Sequence, residues 1–333
     1  MPAQRRVKAA CRGYDESGAQ SGRAPRPKPG AGAVKVLVTG GCGFIGNTLA
    51  RTLAADGWEV TVLDDFSGGS RARLPNEIHV IQGSITDRDA LRVGLRGVEA
   101  VAHLAAATSV LESVADPWPG FEVNVRGTLL TLEEAVRAGA RRFVFASSNA
   151  AVGDHDGAID ELVPSRPVSP YGASKAAGEA YCAAFRNMGR LETISLRFAN
   201  AYGPFSGHKS SVIAKFLRLL FDGKPLTVYG DGQQTRDFIF VQDVADAIAL
   251  ALRRPLREPV LQIATGVETS VIDLVEALSE VTGIEAEIIW TSQPAGEIRR
   301  NYSSVSRAER DLGFVARVPL GEGLRATAEW MAQ

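Results

Sequence analysis

The sequence predicts an α/β protein: a doubly wound parallel sheet with a smaller, discontinuous α/β domain over one edge. Three observations predict it. Short β-branched runs alternate with stretches of helical periodicity, the pattern of strands joined by crossover helices. A glycine-rich turn lies directly between the first such strand and the first such helix. Later the alternation breaks into Gly/Pro loops and resumes near the C-terminal end, as in a chain that leaves a sheet and returns.

Residues 1–33 are rich in Arg, Pro, Gly, Ala and Ser and show no apolar periodicity. They lack the apolar stretch of a secretory signal, so a disordered basic arm is expected. Val34-Lys35-Val36-Leu37-Val38-Thr39 is short and apolar, as a strand buried on both faces should be. Helical periodicity runs from Phe44 to Ala55, and a second strand, Glu59 to Leu63, ends at Asp64 and Asp65. Further strands are expected at 78–81, 99–104, 142–146 and 192–198, with helices between most of them. Right-handed crossovers then bring every carboxyl end to one edge, where a ligand crevice forms; this is the Rossmann-type arrangement.

Residues 199–237 read as loops around one helix near 210–222. A helix near 241–253 and a strand near 259–264 return to the sheet, and 267–333 reads as helix, strand and two short helices. The expected division is 34–198 plus about 238–264 for the sheet domain. The second domain takes about 199–237 plus 265–333.

The formal net charge is −1, which gives no electrostatic case for nucleic acid or an anionic membrane. No apolar run approaches the length of a membrane span. Cys11, Cys42 and Cys182 show no metal-ligand spacing, so no metal is expected. Free thiols in odd number fit a reducing, cytoplasmic setting.

Chemistry starts at Thr39-Gly40-Gly41-Cys42-Gly43-Phe44-Ile45-Gly46. Gly40, Gly43 and Gly46 permit a sharp turn, close approach of backbone to a pyrophosphate, and tight helix–strand packing. Phe44 and Ile45 open the helix whose free N–H groups face the phosphates. Asp64, at the end of the next strand, can accept both hydroxyls of an adenosine ribose. Its charge repels a 2′-phosphate and favours NAD; Arg71 and Arg73 keep NADP as the alternative. Cys42 is either a reactive thiol or a small residue filling the turn.

Tyr171 and Lys175 stand four residues apart, on one face of a helix. An ammonium near a phenol favours its ionised form, so the Tyr171 pKa is expected to fall toward working pH. Chance could supply such a pair. Together with a hydride carrier it becomes the proton-transfer half of alcohol–ketone redox chemistry. Ser148, just past the strand Phe143-Val144-Phe145, can hydrogen-bond the reacting oxygen.

These residues carry a family resemblance. The chain resembles extended short-chain dehydrogenase/reductases of the nucleotide-sugar (UDP-glucose 4-epimerase-like) epimerase/dehydratase group, from about Val34 to the end. The motifs occur in order: the Gly40–Gly46 turn, Asp64, His103-Leu104-Ala105-Ala106, Asn124, Ser147-Ser148, Tyr171 with Lys175, Arg197 to Pro204, and Arg236-Asp237-Phe238-Ile239. The resemblance implies NAD as cofactor and an enzyme acting on a nucleotide-sugar. It implies that Leu104, Ala105, Ala106 and Asn124 line the cofactor cleft. Lys175 would also hold the nicotinamide ribose, and Phe198 would sit by the nicotinamide. Asn200 and Arg236 would hold the nucleotide diphosphate, Tyr229 would stack on the base, and Glu297 would bind the ribose. Arg236 could instead pair with Asp231 or Asp237, and Tyr229 could be a core aromatic.

Three positions depart from the family pattern. Ser84 replaces an Asp that contacts adenine, Pro294 replaces an Arg on the diphosphate, and Val152 replaces a frequent Tyr. Members share oxidation at the sugar C4 and differ in the fate of the 4-keto intermediate. The dehydratases carry an acidic pair after the catalytic Ser or Thr, and decarboxylases a Glu; here the stretch is Asn149-Ala150-Ala151-Val152. Elimination lacks its acid and base, so a 4-epimerase, most simply on a UDP-hexose, is the expectation. Asp154 and His155 leave another acid–base role open, and dehydration, decarboxylation, 4-ketoreduction or a non-catalytic NAD-binding role are the alternatives. In the family, helices equivalent to those near 120–138 and 170–186 pair two-fold, which implies a homodimer.

Overall fold

The computed structural model describes residues 34–293 and 298–333. The expected basic arm, Pro294 and Glu297 lie outside the described residues.

Seven parallel strands form the main sheet: β1 (Lys35–Thr39), β2 (Glu59–Asp64), β3 (His79–Gln82), β4 (Ala100–His103), β5 (Arg142–Ser148), β6 (Glu192–Phe198) and a late strand, Val260–Ile263. Their order is the late strand, then β6, β5, β4, β1, β2 and β3. The chain therefore runs outward from β1 in one direction and returns to build in the other. The two halves meet between β1 and β4, which pair from Val36–Ala100 to Thr39–His103. That switch point is where an open parallel sheet forms its crevice.

Helices cover both faces. On one side lie α1 (Phe44–Ala55) and the helix Val241–Arg253, burying Leu49, Leu53, Val244 and Ile248 against Val36, Val38 and Val62. On the other lie Arg88–Gly94, Thr128–Ala138 and Pro170–Asn187, over Leu37, Val101, Phe143 and Phe145. Val36, Leu37 and Val38 are fully buried, which explains why this strand is apolar without alternation.

A third core gathers Tyr202, Phe216, Leu217, Leu226, Phe238, Leu274, Leu278 and Leu324 from the helices Val212–Phe221, Val271–Thr282 and Leu320–Met331 and the strands beside them. Its strands are short. Asn200–Tyr202 pairs Phe238–Phe240, Leu226–Tyr229 pairs Ile288–Thr291, and Thr235–Arg236 lies between Thr269–Ser270 and Arg300–Asn301. Most of these escape the sequence reading, because strands of two to four residues are too short to display a two-residue period. The expected helix near 120–138 also differs: residues Phe121–Gly127 form a π-helical turn before the α-helix begins at Thr128.

Candidate functional site

The glycine turn is fixed by how closely other backbone approaches it. Gly40 has φ +69°, and a Cβ there would lie 2.7 Å from the Ala105 nitrogen. A Cβ on Gly46 would lie 2.1 Å from the Gly40 oxygen. Gly43 is the N-cap of α1, and no side chain caps that helix, so its first N–H groups face the crevice at the end of β1. Phe44 and Ile45 form its first turn. Asp64 ends β2 and is buried; its carboxylate accepts the N–H of Cys42 and of Phe66, both at 2.8 Å. Burial pushes its pKa up while these two hydrogen bonds pull it down. A bare, uncapped helix start, a glycine cradle and a carboxylate one strand away suit a dinucleotide diphosphate and ribose.

The alternatives left open in this region narrow. The Cys42 thiol is fully buried and is pushed up to about 11, first by burial and then by Asp64, so it is an inert filler of the turn. Arg71 donates to the carbonyls of Leu74, Pro75, Asn76 and Ile78, so it is engaged with its own loop and not directed to a 2′-phosphate. Ser84 bonds Thr86 at 2.9 Å.

The floor of the crevice is cross-braced. Thr39 Oγ1 accepts from the N–H of Leu104 and of Ala105 and bonds His103 Nδ1 at 2.9 Å, while His103 Nε2 reaches Thr128. Burial pulls the His103 pKa down to about 3, so the ring is neutral. Asn124, on the π-helical turn, accepts from Ala107 N and donates to Ala107 O and Ser174 Oγ. Its amide thus holds the stretch that continues from Leu104, Ala105 and Ala106 against the helix bearing Tyr171.

Ser148, Tyr171 and Lys175 come together at the carboxyl edge. Ser169 caps the helix Pro170–Asn187, with Pro170 at its first position. Gly172 lets that helix start press against the 149–151 turn, since a Cβ there would lie 2.2 Å from Ala150 O. This contact brings the Tyr171 hydroxyl into a hydrogen bond with Ser148. Lys175 is buried, donates to Ala146 O at 2.9 Å, and stands 5.9 Å from the Tyr171 ring centre. Phe198 pairs in register with Ser148 on the neighbouring strand and is 6 % exposed. Below, Glu179, one turn after Lys175, takes Arg197 through two bonds of 2.8 and 2.7 Å and the Ser147 hydroxyl at 2.5 Å.

The electrostatics correct one expectation. The Tyr171 pKa is not lowered: burial pushes it above its ordinary value, and Ser148 offsets only part of that. The ammonium itself is weakened, to about 8, by burial and then by Lys209, with Glu179 opposing. At about 8 the ammonium still carries its charge at neutral pH, but burial makes holding that charge costly.

The remaining positions lie on the facing part of the chain. Asn200 is exposed, with its amide donating to Asp237 O. Arg236 donates to Thr235 O and Ile298 O, both at 2.8 Å. The two carboxylates considered as its partners are engaged elsewhere: Asp231 with Arg299, and Asp237 with Thr265 and Gly266. Tyr229 is 36 % exposed, so it is not a core aromatic. After Ser148, Asn149 donates to Ser303 Oγ at 2.9 Å, and Ala151 and Val152 are buried. Asp154 is exposed and His155 partly buried.

Sequence reasoning missed Lys209 and Thr108. Lys209 Nζ donates to Thr108 Oγ1 at 3.0 Å and acts electrostatically on Lys175. No local spacing links residues 101 positions apart, so only the fold reveals them. Among the described residues there is no cluster able to hold a metal ion, and no helix is long and apolar enough to cross a membrane.

Comparison with known proteins agrees with this geometry. Residues 36–264 match the NAD dependent epimerase/dehydratase family. A UDP-glucose 4-epimerase of Mycolicibacterium smegmatis is 36% identical over 307 residues, covering 89% of this chain and 98% of that protein. A dTDP-glucose 4,6-dehydratase of Streptomyces niveus is 32% identical over 312 residues, covering 89% and 92%. The crystal structure of Thermotoga maritima UDP-glucose 4-epimerase with UDP-glucose superposes with a TM-score of 0.85 at 33% identity, covering 90% of this chain and 98% of that one. Crevice, cradle and Ser–Tyr–Lys group thus occur on a chain that belongs to the NAD-dependent epimerase/dehydratase family.

Proposed function

We propose that the protein is a nucleotide-sugar 4-epimerase that uses NAD and acts on a UDP-hexose. The sheet with its glycine cradle serves as the cofactor domain, and the part around the third core binds the nucleotide. NAD, held by the glycine cradle and Asp64, would supply a reversible hydride acceptor for the sugar C4. Tyr171 removes the proton of the C4 hydroxyl and later returns it to the ketone oxygen. Ser148 hydrogen-bonds both Tyr171 and that oxygen, aligning them. Lys175 supplies positive charge beside the phenolate and the nicotinamide ribose. Gly40, Gly43, Phe44, Ile45, Gly46 and Asp64 hold the dinucleotide, and Leu104, Ala105, Ala106 and Phe198 line its nicotinamide half. Asn200, Tyr229, Arg236 and Glu297 engage the nucleotide of the substrate.

The observation that carries epimerisation is the turn after Ser148. Asn149 is tied to Ser303, and Ala150, Ala151 and Val152 have no ionisable group, so no carboxylate stands there to drive elimination. Return of hydride to the opposite face needs no further group. A dehydratase is the second reading, favoured by relatives such as the Streptomyces niveus enzyme. Incubation with UDP-glucose, UDP-galactose and their N-acetyl and uronic forms, read by NMR, tests the proposal. Equilibrating 4-epimers support it; a 4-keto-6-deoxy sugar or released carbon dioxide refutes it.

The working unit is a homodimer in the cytoplasm. Leu111, Trp118 and Phe121 are 78%, 69% and 46% exposed, on segments that pack beside the helix carrying exposed Tyr181. Such an apolar surface fits a two-fold helix pairing. Cys42 and Cys182 are buried free thiols, which suits a reducing compartment. Light scattering tests the dimer, with a monomer at micromolar concentration as the refuting result.

A further inference from the structure

The loop between Gly203 and Ser211 crosses from the third core to the glycine turn and carries two basic residues that the proposed chemistry does not use. The loop is built, not loose. Ser206 Oγ donates to Gly203 O at 2.6 Å, Lys209 N donates to Ser206 O, and Arg218 donates to Gly207 O. Phe205 adopts a φ of +69°, an uncommon conformation for a side-chain-bearing residue, with its ring against Trp330 and under the Arg51 guanidinium. Beyond it, His208 Nδ1 accepts from Arg73 Nη2 at 3.4 Å, and Lys209 bonds Thr108.

The loop therefore completes a row of basic groups. Arg73 reaches the Cys42 carbonyl at 3.4 Å, beside the glycine cradle. Lys209 lies at the other end, near Lys175. Among the described residues, neither Arg73 nor Lys209 has a carboxylate within ion-pair distance; Asp64 and Glu179 act only at the two ends of the row. Burial and neighbouring cations disfavour the charge on Lys209 and on His208. Folding cations next to one another is unfavourable unless an anion is to lie among them. The row runs along the crevice from the cradle to the catalytic lysine, so the anion it fits is elongated and carries more than one charge.

We propose that Arg73 and Lys209, joined through His208, form a clasp for a diphosphate that runs along the crevice from the glycine turn toward Lys175. The diphosphate belongs either to the dinucleotide cofactor or to the nucleotide-sugar. Arg73 approaches from the β2 side and Lys209 from the loop, so a bound diphosphate bridges the two parts of the chain. His208 is the neutral link that orients the guanidinium. This clasp rests on the nucleotide-binding reading above but not on the choice between epimerisation and elimination.

The test is direct binding to the full chain stripped of cofactor, comparing wild type with Lys209→Met, Arg73→Met and the conservative Lys209→Arg. NADH is titrated by its fluorescence and UDP by calorimetry, with adenosine and uridine as probes lacking the diphosphate. A tenfold or greater weakening of NADH in both Met variants, with rescue in Lys209→Arg, supports the clasp and assigns it to the cofactor. The same loss for UDP supports it and assigns it to the substrate. Unchanged affinity for both, within twofold, overturns it. Equal weakening of adenosine or uridine also overturns it, because the charge would then not be reading a diphosphate. Circular dichroism shows whether each variant is folded, so a failed reaction assay does not bear on the result.

Discussion

Replacing Lys175 by Met is expected to abolish turnover and yet stabilise the cofactor-free protein. The side chain is 4% exposed and donates to Ala146 O at 2.9 Å. Its pKa falls from 10.5 to about 8, first through burial and then through Lys209. The unfolded chain thus holds this proton to higher pH than the fold does. At about 1.4 kcal/mol per pH unit, keeping the ammonium charged in the fold costs roughly 3 kcal/mol at pH 7. Met fills a similar volume without charge, but leaves the Ala146 carbonyl without its donor, at a cost of about 1 kcal/mol. The net gain is about 2 kcal/mol, or about 0.7 M in urea midpoint at an m-value of roughly 3 kcal/mol/M. The sign also sets the pH dependence. With the folded pKa below the unfolded one, wild-type stability rises with pH from about 8 to 10.5, and the advantage of the variant fades across that window. Urea unfolding of both proteins from pH 7 to 10.5 reads this directly. A variant less stable at pH 7, or a difference flat in pH, would refute the reasoning.

Three further outcomes are expected. Tyr171→Phe keeps the ring and removes the hydroxyl that bonds Ser148; kcat should fall by about 10²–10⁴ with NAD content unchanged, measured by steady-state kinetics and absorbance of the extracted cofactor. Gly46→Ala drives a Cβ to 2.1 Å from Gly40 O, so the cradle must open; the purified protein should carry little NAD and lose about 1–3 kcal/mol of stability, and full NAD occupancy would contradict this. Glu179→Ala leaves Arg197 charged and buried without its partner; a loss of about 3–5 kcal/mol is expected in chemical denaturation, whereas a loss under about 1 kcal/mol would show that water reaches Arg197.

Much of the fold is readable from local pattern. The strand from Lys35 to Thr39, the helix from Phe44 to Ala55 and the late strand that rejoins the sheet can be read from apolar period and glycine placement, because each buries a whole face. The same holds for Gly40, Gly46, Asp64 and the Tyr171–Lys175 spacing, whose chemistry depends on neighbours within one βα unit or one helical turn. The features that local pattern hides are those where distant parts of the chain meet. The spacing of Tyr171 and Lys175 predicts a lowered phenol pKa because it shows the charge partner but not the burial. The packing of the helix Pro170–Asn187 against β5 buries both, and burial pushes the phenol pKa up while the Ser148 hydrogen bond offsets only part of that. Arg71 is available for a phosphate only until the loop 74–78 folds its carbonyls around it. Lys209 carries no motif at all; only the crossing of the 203–211 loop sets it beside Thr108.

The fate of the C4 hydrogen tests the central claim most directly. UDP-glucose deuterated at C4 is incubated with the enzyme in ordinary water, and the products are read by NMR and mass spectrometry. Epimerisation predicts UDP-galactose with the deuterium still at C4 and none released to solvent. Deuterium found at C6 of a 4-keto-6-deoxy sugar would contradict it, because the hydride would then have returned after elimination and not to the carbon it left.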